Sequence, residues 1–179
     1  MKKVLLVALC ALGVVGCDST KTYDITESVL CKFENDKIRC PEHNIKRPDN
    51  LVTDIYRENA NLYLHAHKDG VIICELDFVN ATDFCRDEQG NPINGIIKNY
   101  EADLGYLIQE NIYKNGKMLK SVSYYENGII SSESTADGVS RAYNKDGKLV
   151  YITEKTADKI IRTDYDQNGN ITNTKVLSK

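Results

Sequence analysis

No cluster of basic residues occurs anywhere in the chain: 23 Lys and Arg are spread among 26 Asp and Glu, a formal charge of −3. An acidic chain of this kind is poorly matched to phosphate backbones or anionic head groups, so no nucleic-acid partner is expected. The longest apolar run, Val4 to Val15, has twelve residues, too few to cross roughly 30 Å of hydrocarbon as a helix. No segment keeps a convincing helical period over three turns, although 49–61 could pass for a short helix. Only three prolines are present, Pro41, Pro48 and Pro92. Catalytic signatures are missing too: there is no Gly-x-Ser-x-Gly elbow, no His-Glu-x-x-His and no phosphate-cradling glycine loop. The acids of 164–169 stop short of a calcium loop, because the closing glutamate is absent. These absences lead to the expectation of a non-enzyme that uses no cofactor.

Glycine is well placed instead. Of the nine glycines after residue 16, seven follow Asn or Asp: Gly70, Gly95, Gly116, Gly128, Gly138, Gly147 and Gly169. Asn-Gly and Asp-Gly supply the two positive-φ positions of a type I′ hairpin turn at little steric cost. Between them lie segments of six to eight residues rich in Tyr, Ile, Val and Thr, with roughly alternating character, as suits strands on a half-buried surface. The expected fold is all-β, an elongated antiparallel meander of stacked hairpins.

Tyrosine adds a longer period. Tyr143 to Leu149 and Tyr165 to Ile171 share one template: Tyr, two polar residues, Asn or Asp, Gly, a polar residue and an aliphatic one. Tyr124 to Ile130 keeps most of it, Tyr113 to Met118 keeps it one residue shorter, and Tyr56 to Leu62 has Ala60 in place of glycine. Gly95, Gly116 and Gly138 are 21 and 22 residues apart, so the unit is a two-strand hairpin of about 22 residues, a period typical of stacked arrays. From Gly90 to Gly147 these units resemble the bacterial variant of the MORN repeat, which also defines the YwqK-type antitoxin proteins. The resemblance extends over roughly 50–179. It implies a twisted antiparallel meander with aromatic side chains along one face, and it implies little about activity.

The N-terminus carries an address. Met1-Lys2-Lys3 and the apolar run form the n- and h-regions of an export signal. The run ends Val14-Val15-Gly16-Cys17, which resembles a bacterial lipoprotein signal; the alternative is an ordinary secreted leader that contains a cysteine. The resemblance implies cleavage before Cys17 and acylation of that residue, anchoring the chain to a membrane facing the periplasm. Asp18 resembles the residue that retains such proteins in the inner membrane, and the outer membrane stays open. Losing Lys2 and Lys3 leaves 21 basic against 26 acidic residues, a formal charge of −5. The expected organisation is a removed leader over 1–16, a lipidated tether over 17–28, an N-terminal cap hairpin over 29–49 and the repeat array over 50–179.

Four cysteines remain beyond Cys17, and an exported chain with an even number invites disulfides in any of three connectivities. A two-residue turn at Asn35-Asp36 would set Cys31 directly opposite Cys40, at a non-hydrogen-bonded site with Cα atoms about 4.5 Å apart. Cys74 and Cys85 would then pair by elimination. Reduced, buried thiols are the alternative.

Two groups of residues invite a functional reading. Tyr100, Tyr113, Tyr125, Tyr143 and Tyr165 could form a recognition stripe for a peptide or flat ligand; equally, each could pack over its own turn. His65 and His67 would share a strand face and could hold a metal if further ligands converged, or simply face solvent. The expected function is a membrane-tethered, protein-binding β-repeat module of the cell envelope. The alternatives are an immunity protein that neutralises a toxin, or a structural spacer, since about twelve strands would reach on the order of 55–60 Å.

Overall fold

In the computed structural model, residues 20–47, 59–77 and 82–178 are described. Cys17, the leader before it and most of the stretch that could pass for a helix lie outside them.

The described residues form thirteen strands in one mostly antiparallel sheet. They are β1 (Lys21–Glu34), β2 (Lys37–Arg39), β3 (Asn61–His67), β4 (Gly70–Asp77), β5 (Thr82–Asp87), β6 (Gly95–Tyr100) and β7 (Leu107–Lys114). After these come β8 (Lys117–Tyr124), β9 (Ile130–Thr135), β10 (Val139–Tyr143), β11 (Leu149–Lys155), β12 (Lys159–Tyr165) and β13 (Ile171–Ser178).

Six of the seven Asn/Asp-Gly dipeptides lie at hairpin turns, in more than one geometry, whereas Asn94-Gly95 does not: Gly95 opens β6, which pairs in parallel with β1. Asn115-Gly116 has φ of 51° and 77°, the doubly positive type I′ turn. At Gly128, Gly147 and Gly169 only the glycine is positive, and each loop is a type I turn closed by a glycine bulge, with Gly128 N donating to Tyr125 O at 2.9 Å and Tyr125 N to Ile129 O at 2.8 Å. The residue after the template tyrosine caps the loop. Asn144 Oδ1 accepts from the amides of Asp146 and Lys148 at 3.0 and 2.9 Å, and Asp166 Oδ1 accepts from those of Asn168 and Asn170 at 2.8 and 2.9 Å. The repeating template is therefore largely turn chemistry.

The first eight strands do more than stack. Strand β1 pairs with β3 on one side and with β6 on the other, the latter in parallel from Lys21↔Gly95 to Ile25↔Asn99. A circuit then runs β1–β3–β4–β5–β8–β7–β6 and back to β1. Its weakest joint is β5 to β8, where Phe84 lies opposite Lys117 and Cys85 N donates to Gly116 O at 2.7 Å. Strands β9 to β13 leave this ring as a plain meander off β8.

One irregularity lets β1 serve two cores. Ile25 lies opposite His67 but Glu27 opposite Ala66, so Thr26 is an extra residue and side chains change face there. Before the bulge, Tyr23 and Ile25 join Ile72, Cys74, Cys85, Ile93, Ile97 and Tyr113. After it, Val29, Cys31 and Phe33 join Leu62, Leu64, Val71 and Ile73 on the opposite face of β3 and β4. Strand β4 is thus buried on both faces from Val71 to Cys74. The hairpin to β2, with Ile38, Cys40 and Ile45, covers the second core.

Two expectations about boundaries need correcting. Residues 21–28 are strand rather than tether, because Tyr23 and Ile25 alternate with polar neighbours and bury inside the ring. The hairpin of 29–49 does not cap the end of a linear stack, since β1 lies between β3 and β6.

Candidate functional site

Direct pairing keeps side chains on one face, so the register defines two rows that cross most of the sheet. One row runs Asp24, Lys98, Glu110, Val122, Glu133, Arg141, Ile152, Thr163 and Thr174. The other starts in the ring interior at Tyr23 and Ile97, continues through Asn111, Ser121, Ser134, Ser140 and Thr153, and ends at Arg162 and Lys175. Beside that second row lie Gln109, Ser123, Ser132 and Ala142. The interior face of the ring thus extends outward into a floor of small hydroxyl and amide groups, with Gln109 Nε2 donating to Ser121 Oγ at 3.0 Å.

The exterior row is held by charge. Glu110 takes Lys98 Nζ at 3.1 Å and the Tyr124 hydroxyl at 2.6 Å. Glu133 takes Lys120 Nζ at 2.7 Å, the Tyr143 hydroxyl at 2.9 Å and Arg141 at 3.5 Å. The Tyr124 hydroxyl holds the Glu110 carboxyl below its usual range, and Lys120 does the same for Glu133. Burial and the Glu110 carboxylate raise Tyr124 to about 12.

The five stripe tyrosines do not share one surface. Tyr113 lies in the inner core and donates to Asp83 Oδ2 at 2.5 Å, whereas Tyr143 reaches Glu133 on the opposite face. Tyr100 donates to Asp24 Oδ1 at 3.2 Å, and Tyr125 to the Tyr143 carbonyl at 2.8 Å. Tyr165 is half-buried at the end of β12. Four of the five hydroxyls therefore clip one strand or turn to another, which favours packing over an open recognition stripe.

Asp83 escaped the sequence reading, since nothing near it in the chain marks it. Burial pushes its carboxyl up, against the Tyr113 hydrogen bond, and Oδ1 is buried without a hydrogen bond. Cys74, Asp83 and Cys85 bring ligand-type atoms within 4.8 Å of one another, but the two sulfurs are already joined, as are those of Cys31 and Cys40. Cys74 and Cys85 are directly opposed on β4 and β5, with Cα atoms 4.0 Å apart. Tyr113→Phe is expected to cost about 1–3 kcal/mol by leaving a buried carboxyl unsatisfied. Tyr100→Phe, at an exposed hydrogen bond, should change stability by less than about 0.5 kcal/mol. Urea unfolding of both variants separates an internal clip from a surface contact.

His65 and His67 occupy one face of β3 with their rings engaged apart. Ser28 Oγ lies 2.7 Å from His65 Nδ1, and Tyr63 stacks on the His65 ring at 5.6 Å. His67 Nδ1 accepts from Asp69 N at 3.2 Å, and its ring meets Tyr23 edge-on. Burial lowers His65 to about 4, so it is a neutral imidazole under ordinary conditions.

The ring and the meander differ sharply in burial. Among the described residues eighteen apolar ones are buried, all at or before Val122, and none from Ser123 to Ser178 is. Strands β9 to β13 form a single layer that carries exposed Ile130, Val150, Ile171, Val176 and Leu177. Comparison with protein-family models and with curated protein sequences finds no match.

Proposed function

We propose that the chain is a membrane-anchored, non-enzymatic binding module of the bacterial cell envelope, its ring acting as a rigid base and β9–β13 receiving a protein partner. The observation that carries this reading is the layer without a core. Five strands with no buried residue and several exposed aliphatics gain from apolar cover that another protein would supply. The lipoprotein-like sequence ending at Cys17 and the two disulfides support an exported, tethered setting.

Immunity to a toxin is the second reading. Its support is the resemblance of the Tyr-x-x-Asn/Asp-Gly units to the YwqK-type repeats, together with the acidic excess, which complements a basic toxin surface. A spacer between membrane and another envelope layer has less support, because ring closure removes seven strands from the linear reach.

The test is a cross-linked pull-down of the full chain from its native membranes, with Cys17→Ala alongside. The expected result is one stoichiometric protein partner for the parent and release of the variant from the membrane fraction. A parent recovered alone would contradict the binding role, and a variant still anchored would contradict the lipid tether.

A further inference from the structure

Among the described residues, ring closure leaves the sheet with one long edge: β13 pairs there only with β12, and all eight of its residues are exposed. Its outer N–H and C=O groups form an unpaired ladder, and Ile171, Val176 and Leu177 are 64 %, 62 % and 57 % exposed. Natural sheets blunt such edges with short strands, prolines, bulges or inward-pointing charges. Within β13, Lys175 has that character and Thr172 is the extra residue of a bulge, since Asn173 lies opposite Asp164 and Ile171 opposite Tyr165, so the regular edge runs from Asn173 to Ser178. The position of Lys175 favours one particular occupant.

We propose that β13 pairs antiparallel with β13 of a second copy of this chain, about a two-fold axis through Thr174. Three arguments select this occupant and this register. The first is the pleat. Directly opposed residues lie on one face, so a two-fold axis perpendicular to the sheet must pass through a residue paired with its own counterpart. An axis at Lys175 would set two ammonium groups face to face, and one at Asn173 would centre the pairing beside the Thr172 bulge. The axis at Thr174 avoids both.

The second argument is side-chain match. In this register Asn173 faces Lys175 of the second copy on either side of the axis, and Thr174 meets Thr174, a favourable cross-strand pair.

The third is charge. Within one copy, Lys175 lies directly opposite Arg162, a like charge. Arg162 turns to Asp164 Oδ1 at 2.8 Å and stacks over the Tyr151 ring at 3.9 Å. Asn173 Nδ2 donates to Asp164 Oδ2 at 3.2 Å, on the same face. Pairing therefore brings Lys175 alongside the Asn173–Asp164 unit of the second copy, and the symmetric contact forms twice. A basic end of the edge meets an amide-carboxylate end.

Cysteine placement in the full chain, expressed in its native envelope, tests the register directly. Thr174→Cys puts two thiols opposite one another, whereas Val176→Cys puts them about four residues, roughly 13 Å, apart along the paired strands. Under mild oxidation most of the Thr174→Cys chain is expected to run as a covalent dimer on a non-reducing gel, with Val176→Cys and the parent monomeric. Monomeric Thr174→Cys, equal cross-linking at both positions, or an adduct of any mass other than twice the chain would overturn the proposal. A charge pair adds a check without cysteine: Asn173→Lys should reduce the dimer seen by sedimentation, and adding Lys175→Asn should restore it. Failure of the double variant to recover would also count against the register.

Discussion

Gly95→Ala is expected to open the ring and lower stability by at least about 3 kcal/mol. A Cβ at this position would stand 2.2 Å from the Lys21 carbonyl oxygen and 3.0 Å from the Tyr23 ring. The nearer obstacle is backbone, held in the parallel ladder that joins β1 to β6, so no rotamer change relieves it. The strands must part, and parting them exposes Tyr23 and Ile97, both buried inside the ring. Gly169 is the control. It also follows an asparagine, but a Cβ there meets nothing within 4 Å, and its φ of 83° is the only obstacle, worth about 1 kcal/mol. Urea unfolding of the two variants, with hydrogen exchange across 21–25 and 95–99, reads the difference. Equal and small losses would mean that the parallel joint contributes little.

Acid is expected to begin weakening the fold above the ordinary carboxylate range. Burial lowers His65 from 6.5 to about 4, so below pH 6.5 the unfolded chain binds a proton that the folded chain refuses. Stability should be constant above that value, fall as pH drops through the interval, and level off near pH 4 after a loss of about 3 kcal/mol. His65→Asn, which still presents an acceptor to Ser28, should reduce this slope, leaving the part that His67, also lowered by burial, contributes with the same sign. The depressed Glu110 and Glu133 carboxyls add their own loss at lower pH, and the raised Asp83 carboxyl opposes it. Thermal unfolding between pH 7 and 4 measures the loss, and an unchanged slope in His65→Asn would place the acid sensitivity elsewhere.

Local chemistry was legible and closure was not. Six of the seven Asn/Asp-Gly dipeptides mark hairpin turns because few other pairs tolerate the backbone they impose, while Asn94-Gly95 opens β6 instead, and the short spacing between the dipeptides leaves room only for strands. The same local logic sets Cys31 across from Cys40, where Asn35 and Asp36 take φ of 50° and 57°. Ring closure depends instead on Lys21–Ile25 meeting Gly95–Asn99, a parallel contact between segments some seventy residues apart that no hairpin spacing encodes. Polar neighbours hid Tyr23 and Ile25 as a core strand, and the Thr26 bulge changes their face, so a single alternation across β1 misreads it. Asp83 was invisible for a related reason: its partner Tyr113 comes from a strand thirty residues later. The tyrosines were visible as a pattern, yet which of them bury, and on which face, is decided by the bulges beside the turns.

The central claim is that the single layer, rather than the ring, meets the partner. Val150 on β11 and Leu30 on β1 are similarly exposed apolar residues, at 39 % and 42 %, so exposure alone cannot distinguish them. A photo-cross-linking residue placed at each position in the full chain, activated in its native membrane, is the most direct test. The account predicts capture of one protein partner, distinct from the chain itself, from position 150 and not from position 30. Capture from position 30 alone, equal capture from both, or none from either would contradict it.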